Sequence, residues 1–241
     1  MNLSFYTASA GAQQQQLRLN VHANNIANVN NYGYRAKRPS FSALMQDFVQ
    51  GAQADELSRG TGAYMVGADT DFSGTGFADT GLSQDYAIQG SGFFALYNPA
   101  TGEYCYTRDG SFTMASFELE NDRGELETDW YLSDGNGYLV IGADGRLIQM
   151  TDPHEAQKVG IFDFVNKNGM QHIGNNRYVP VEKNGELEMG SGTLVQGCLE
   201  SSNTDLAREL SKVIESQRSF QYVLKMIQTS DEIETTVNGL R

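Results

Sequence analysis

Two stretches of helical spacing frame a middle in which apolar residues recur at alternate positions. From Thr204 to about Asn238, Leu206, Leu210, Val213, Gln217, Phe220, Leu224 and Ile227 follow one another in steps of four and three, the spacing of a seam that packs on a partner helix. Asp205 and the Ser, Asn and Thr before it offer a cap, and Glu209 places an acid near the first turn. A helix of about 35 residues runs roughly 50 Å. Ile214, Val223, Ile233 and Val237 lie off that seam and predict a second contact face. The first 28 residues are also predicted helical despite Gly11. Leu3, Ala10, Leu17 and Val21 form one stripe and Phe5, Ala12, Leu19 and Ile26 another, so this helix is expected to be enclosed by several neighbours. The Gln run at 13–16 suits helix propensity without adding charge.

Between the helices, "DYAIQGSGFFALYNPATGEYCYTRDGSFTMA" holds short aromatic and β-branched runs punctuated by glycine, with "NPATG" as a turn. The theme continues through "GNGYLVIGADGRLIQM", "KVGIFDFV" and "NNRYVPVEKNGELEMG", where Asn-Gly and Asp-Gly steps favour tight hairpins. Helices do not alternate with these strands, which disfavours a doubly wound sheet. The expected fold is therefore mainly β: an antiparallel β body in the middle of the chain, with long N- and C-terminal α-helices that pair as a coiled coil. The expected boundaries are 1–30 and 199–241 for the two helices of one discontinuous helical domain, 31–60 for a junction and linker, and 61–198 for the β body.

Composition supports a folded chain: 241 residues, 39% hydrophobic and 20% charged, with 12 Tyr and 12 Phe. The net charge of -13 is uneven. Residues 1–40 carry Arg18, Arg35, Lys37 and Arg38 and no acid, and residues 199–241 carry seven acids and five bases, which leaves -15 for the middle. So acidic a centre repels phosphate backbones, and no nucleic-acid partner is expected. No run of ~18 apolar residues predicts membrane insertion. The start "MNLSFYTASAGAQQQQ" has neither a basic n-region nor an apolar core, so no cleavable signal peptide is expected.

Candidate chemistry is sparse. His22, His154 and His172 show no metal-ligand spacing, and Cys105 and Cys198 form no CxxC pair. "GADTDFSGTG" alternates Asp69, Asp71 and Ser73 before Gly74, but a calcium loop counted from Asp69 needs Glu where Thr80 stands. "GTGAYMVG" and "GSGFF" lack the Lys-Ser/Thr ending of a P-loop, and "GSGTLVQG" opens no βαβ unit. A carboxylate pair in the β body at about 5–9 Å would allow glycoside hydrolysis, which spacing in sequence does not test. The expectation is a chain with no catalytic, metal or cofactor site, whose working surface is the terminal helices.

Both ends carry longer signatures. "YTASAGAQQQQLRLNVHANNIANVNNYGYRAKRPSF" leads a helix into Ala23, Asn24, Asn25, Ala27, Asn28 and Asn30, then Gly33, Tyr34, Arg35, Lys37 and Arg38. The far end, "GTLVQGCLESSNTDLARELSKVIESQRSFQYVLKMIQTSDEI", places Gly197, Leu199, Glu200, Ser202, Asn203, Asp205 and Glu209 at matching positions, and "AIQGSGFFAL" and "YTRDGSF" lie between. In these segments the chain resembles the flagellar rod and hook axial family. Its length is closer to rod members, distal or proximal, than to the hook protein with its additional outer sequence.

The resemblance implies a structural subunit of the bacterial flagellar basal-body rod. Terminal helices would pack as an inner coiled-coil layer around a channel, the β domains would form an outer wall, and the hollow shaft would carry torque from motor to hook. The implied partners are copies of the chain, other rod and hook subunits, and the flagellar type III export apparatus. The implied location is the basal body, periplasmic or cell-wall-spanning. The expected assembly residues are Leu17, the Asn cluster at Asn24, Asn25, Asn28 and Asn30, the cations Arg35, Lys37 and Arg38, and the C-terminal seam of Leu206, Leu210, Val213, Gln217, Phe220, Leu224 and Ile227. Asn caps helix ends and satisfies backbone groups without charge, which suits a crowded junction. The three cations would meet the acidic body of a neighbouring subunit. Alternatives are the hook or another axial subunit, or, in a different class, a polysaccharide-binding or hydrolysing β protein.

Overall fold

In the computed structural model, which describes residues 3–44, 46–50, 56–120, 126–152 and 155–240, the two terminal patterns form α1 (Leu3–Ala27) and α2 (Leu206–Gly239). Asp205 caps α2, its Oδ1 accepting from the backbone N–H groups of Ala207 and Arg208 at 3.0 and 3.2 Å. The helices run antiparallel: Ser4 Oγ lies 3.0 Å from Ser230 Oγ, Arg18 reaches Glu215 at 3.1 Å, and His22 Nδ1 meets Glu209 Oε2 at 2.7 Å. Gly11 faces Val223. With the ribbon described next, they belong to the first of two units, the described residues of 1–27, 37–70 and 204–241; the second takes 28–36 and 71–203.

The face that α2 turns inward differs from the seam read in the sequence. Glu209, Val213, Ser216, Phe220, Val223, Ile227 and Ser230 are buried or half-buried, again in steps of four and three, whereas Leu206, Leu210, Gln217 and Leu224 are exposed. The opposing positions on α1 are small, with Ala8 and Ala12 buried and Gly11 between them. Small side chains on both helices let the backbones approach closely, and a leucine at Ser216 would hold them apart. The serine hydroxyls are satisfied, since Ser216 Oγ donates to the Lys212 carbonyl at 2.7 Å and Ser230 pairs with Ser4.

Residues 37–70, part of which was expected as a linker, add a β ribbon to this unit. β1 (Lys37–Ala43) pairs antiparallel with β4 (Ala63–Thr70), with a register shift between Ser40 and Phe41, and β2 (Gln46–Gln50) pairs with β3 (Glu56–Gly60). The Gln run of α1 holds it, Gln14 Oε1 accepting from the Met65 N–H at 2.7 Å.

The second unit is the β body. Its strands are β5 (Phe77–Asp79), β6 (Tyr86–Gln89), β7 (Phe93–Tyr97), β8 (Tyr104–Thr107), β9 (Thr113–Glu120), β10 (Leu126–Ser133), β11 (Leu139–Val140), β12 (Ile161–Phe164), β13 (Gln171–Gly174), β14 (Arg177–Val179), β15 (Leu187–Met189), β16 (Thr193–Gln196) and β17 (Cys198–Glu200). The main antiparallel sheet runs β13-β14-β8-β7-β11-β10-β9, with β12 joining β7 to β15; β16 pairs with β6, and β17 with β5. β7 is buried on both faces. Phe93 and Ala95 enter a core with Tyr106, Phe162, Phe164 and Tyr178, while Phe94 and Leu96 enter another with Ile88, Phe112, Leu132 and Val140. That explains why "GFFAL" reads as a continuous apolar run. Asn175 and Asn176, at φ 46° and 55°, turn β13 into β14 with the left-handed pair that a tight hairpin requires.

Gly33 is the glycine of the Gly-aromatic-basic signature, at φ +66° with its N–H donated to the Glu200 carbonyl at 2.8 Å. A Cβ there would stand 2.4 Å from the Asp109 nitrogen. Gly33→Ala is therefore expected to lower stability by about 2 kcal/mol or more, from a strained backbone and a clash with main chain. Urea unfolding checks it, and an unchanged midpoint would count against the tight approach.

Candidate assembly surface

The Asn cluster divides between the two units. Asn25, fully buried, uses its amide as a strand neighbour would, donating to the Lys37 carbonyl at 2.8 Å and accepting from the Lys37 N–H at 2.9 Å. It also donates to Glu209 Oε2 at 3.1 Å, the oxygen that meets His22. Asn25 thus locks the end of α1 to the start of β1 and to α2, so its position is internal to the helical unit. In the body unit, Asn28 Oδ1 accepts from Asn31 at 2.7 Å, and Asn30 is exposed; Asn24 is exposed on α1.

Arg35 corrects a sequence expectation. It was grouped with Lys37 and Arg38 as a charge for a neighbouring subunit, yet it is 1% exposed and its guanidinium is ion-paired with Glu200 Oε1. Its Nη1 donates to the Ser73 carbonyl at 2.7 Å. Glu200 Oε2 takes Arg108 at 3.2 Å, and Arg108 also donates to the carbonyls of Ile88 and Gly90 at 3.3 and 2.8 Å. Two buried cations share one buried carboxylate, and burial, reinforced by the nearby Arg35 charge, pulls the Arg108 pKa down against the pull of Glu200. Asn203 closes the same region, accepting from the Ala36 N–H at 2.6 Å and donating to the Asp71 carbonyl at 2.7 Å. Sequence reasoning placed Glu200 and Asn203 in a signature without assigning them a role, and it missed Arg108.

The other expected residues sort by exposure. Lys37 is half-buried and Arg38 exposed at the start of β1, and Leu17 is exposed on α1. On α2, Val213, Phe220 and Ile227 are half-buried, while Gln217 is exposed. Leu206, Leu210, Ile214 and Leu224 stand 40–51% exposed, an apolar face of α2 turned to solvent.

The titratable groups serve local structure. His172 stacks edge-on against Tyr178, and His154 lies outside the described residues. Burial pushes the Cys105 thiol up to about 12, which keeps it protonated at neutral pH, whereas nucleophilic work needs the thiolate. Asp109 and Asp134 line a polar cavity of about 330 Å³ in the body with Asn30, Asn31 and Arg177. Asp134 is ion-paired with Arg177 at 2.8 Å, and Asp109 accepts from Ser111. Among the described residues no group of three or more His, Cys, Asp or Glu is arranged for a metal, and no helix is long and apolar enough to cross a membrane.

Comparison with known proteins matches three family profiles along the chain. Residues 5–35 match "Flagella basal body rod protein", 87–170 match "Flagellar hook protein FlgE/F/G D1 domain", and 195–240 match "Flagellar basal body rod FlgEFG protein C-terminal". The flagellar basal-body rod protein FlgG of Buchnera aphidicola subsp. Baizongia pistaciae is 31% identical, covering 95% of this chain and 96% of that protein. FlgG of Bacillus subtilis is 32% identical over the same shares. The chain belongs to the flagellar basal-body rod family. The rod protein FlgF of Rhizobium meliloti is 28% identical, with both chains covered in full.

In this rod-family chain the N- and C-terminal matched segments meet in each unit. α1 lies along α2 in the helical unit, and Arg35 meets Glu200 in the body. Glu200→Ala would leave Arg35 and Arg108 buried together without a counter-charge, at an expected cost of about 3–5 kcal/mol. Replacing Arg35 or Arg108 alone leaves one cation for the carboxylate and is expected to cost less. Denaturant unfolding of the three variants gives that order, and a Glu200→Ala protein as stable as wild type would contradict it.

Proposed function

We propose that this rod-family chain works mechanically, as a structural subunit of the bacterial flagellar basal-body rod. It stacks helically with copies of itself and with other rod and hook subunits into the hollow shaft that transmits torque from motor to hook. The relatives' names and the three matched segments support the rod reading. One structural observation carries the mechanism: α2 turns the stripe from Glu209 through Ser216 and Phe220 to Ser230 inward and presents Leu206, Leu210, Ile214 and Leu224 outward. Such a face seeks other helices, and the repeated four-three spacing suits coiled-coil packing between subunits. A heterologous contact that does not close on itself generates an open helical tube.

The relatives named FlgG are 29–32% identical and the FlgF protein 28%, so the chain takes the place in the rod of an FlgG- or FlgF-like subunit. Leu17, Asn24, Asn30, Lys37 and Arg38 join the α2 face as proposed contacts. Export by the flagellar type III apparatus would deliver the subunit to a periplasmic or wall-spanning shaft. The chemistry is packing, with no cofactor and no reaction.

Electron microscopy of basal bodies from a deletion strain tests this reading. Rods and hooks are expected to be missing and to return with the wild-type gene. Leu210→Asp combined with Leu224→Asp is expected not to restore them, although both sites are exposed and each substitution should change monomer stability by only about 0.5 kcal/mol. Complete rods in the deletion strain would overturn the rod assignment, and complete rods from the double variant would overturn the role of the α2 face.

A further inference from the structure

Asn-Gly steps occur at Asn136–Gly137, Asn168–Gly169, Asn184–Gly185 and Asn238–Gly239. Such steps favour turns, and they also carry a reactivity. With no side chain on the following residue, the glycine nitrogen can reach the side-chain carbonyl carbon of the asparagine before it. In a folded chain this requires a glycine N–H that is not engaged, an amide side chain that is not held, and room for a small ring.

Asn184 meets none of these conditions. It is fully buried, its Oδ1 accepts from the Val181 N–H at 2.6 Å, and its Nδ2 donates to the carbonyls of Asn166 and Asn168 at 2.7 and 3.2 Å. The Gly185 N–H is engaged too, donating to the Glu182 carbonyl at 3.4 Å. Asn238 lies in the last turn of α2, where backbone N–H groups belong to the helix ladder. Asn168 is exposed, but the Lys183 side chain packs on its glycine, with Nζ 2.3 Å from where a Cβ on Gly169 would stand. Asn136–Gly137 differs from all three. Asn136 is exposed in the turn from β10 to β11, and among the described residues its side chain makes one hydrogen bond, Nδ2 donating to the Asp134 carbonyl at 3.3 Å. No hydrogen bond among the described residues engages the Gly137 N–H, and a Cβ on Gly137 would meet nothing within 4 Å.

We propose that Asn136 is a site of spontaneous, one-way modification in the folded protein. The Gly137 nitrogen loses its proton and bonds to Asn136 Cγ, the side-chain amide nitrogen takes up a proton and leaves as ammonia, and a succinimide ring remains. Water then opens the ring at either carbonyl, giving aspartate or isoaspartate. The sequence of steps consumes water, releases ammonia and involves no change of oxidation state. Either product sets a new carboxylate on the wall of the polar cavity that Asn136 lines with Asp109 and Asp134. Isoaspartate also adds a methylene to the main chain, inside a turn where Asp134 Oδ1 accepts from the N–H groups of Asn136 and Tyr138 at 2.9 and 3.2 Å. Because the ammonia is lost, the extent of conversion records the age of a molecule.

Peptide mapping by mass spectrometry, after incubation of the purified full chain in mildly alkaline buffer, tests this. Conversion of amide to acid is expected at Asn136 at least about tenfold faster than at Asn184, which reacts only when its hydrogen-bonded site opens. In concentrated urea the two rates are expected to converge, because both steps share the same Asn-Gly chemistry once the fold is gone. An Asn136 that stays an amide in the native chain, or converts there no faster than Asn184, overturns the proposal. So does a rate difference that persists unchanged in urea, since it would then come from the flanking residues and not from the fold.

Discussion

The packing of α1 on α2 depends on size more than on hydrophobicity. Ala8, Gly11 and Ala12 meet a stripe of α2 that includes Ser216, Val223 and Ser230, and the hydroxyls on it are satisfied locally or across the seam. Because small groups set the closest approach, Leu206, Leu210, Ile214 and Leu224 are left outside the intrachain contact, while Val213, Phe220, Val223 and Ile227 are half-buried on the inward face. A subunit with its leucines already buried against α1 would have little reason to assemble. One with the same leucines outward keeps apolar surface that only a neighbouring helix would bury.

Buried polar groups fix the places where the chain changes course. Asn25 ties α1, β1 and α2 with three hydrogen bonds from one amide. The Arg35–Glu200–Arg108 cluster ties residues far apart in sequence, with Arg35 and Glu200 separated by 165 positions. Such ion pairs add little net stability over an apolar core, since desolvation offsets most of the attraction. Their effect is on uniqueness: a shifted strand would leave a buried charge alone. For a part that must repeat identically along a shaft, a single conformation of each junction matters more than a few kcal/mol.

Elements were legible in the sequence where period and punctuation agreed. α2 and its Asp205 cap, the Asn98–Gly102 turn between β7 and β8, and the two-sided β7 all follow from residue type and spacing. The inward face of α2 did not, because apolar spacing selects the largest residues and is silent on whether their partner lies in the same chain or in another. Val213, Phe220 and Ile227 serve either face, which is why a seam displaced by one position looked convincing. Arg35 was misjudged for a related reason. Its neighbours Lys37 and Arg38 made a basic run, while the turn at Gly33 that sends Arg35 inward, and the distant Glu200 that receives it, leave no local trace. The ribbon at β2 and β3 carries no alternation strong enough to read in "ELSRG".

The decisive quantity is the change in exposure of the α2 leucine face on assembly. With Cys105 replaced by Ala and Cys198 by Ser, a cysteine at Leu210 can be alkylated in the purified monomer and in rods isolated from cells. Labelling is expected to be rapid in the monomer and at least about tenfold slower in rods, while a cysteine at Ser216 stays slow in both, since α1 already covers it. Equal labelling of Leu210→Cys in monomer and rod would show that the outward leucines do not hold the shaft together.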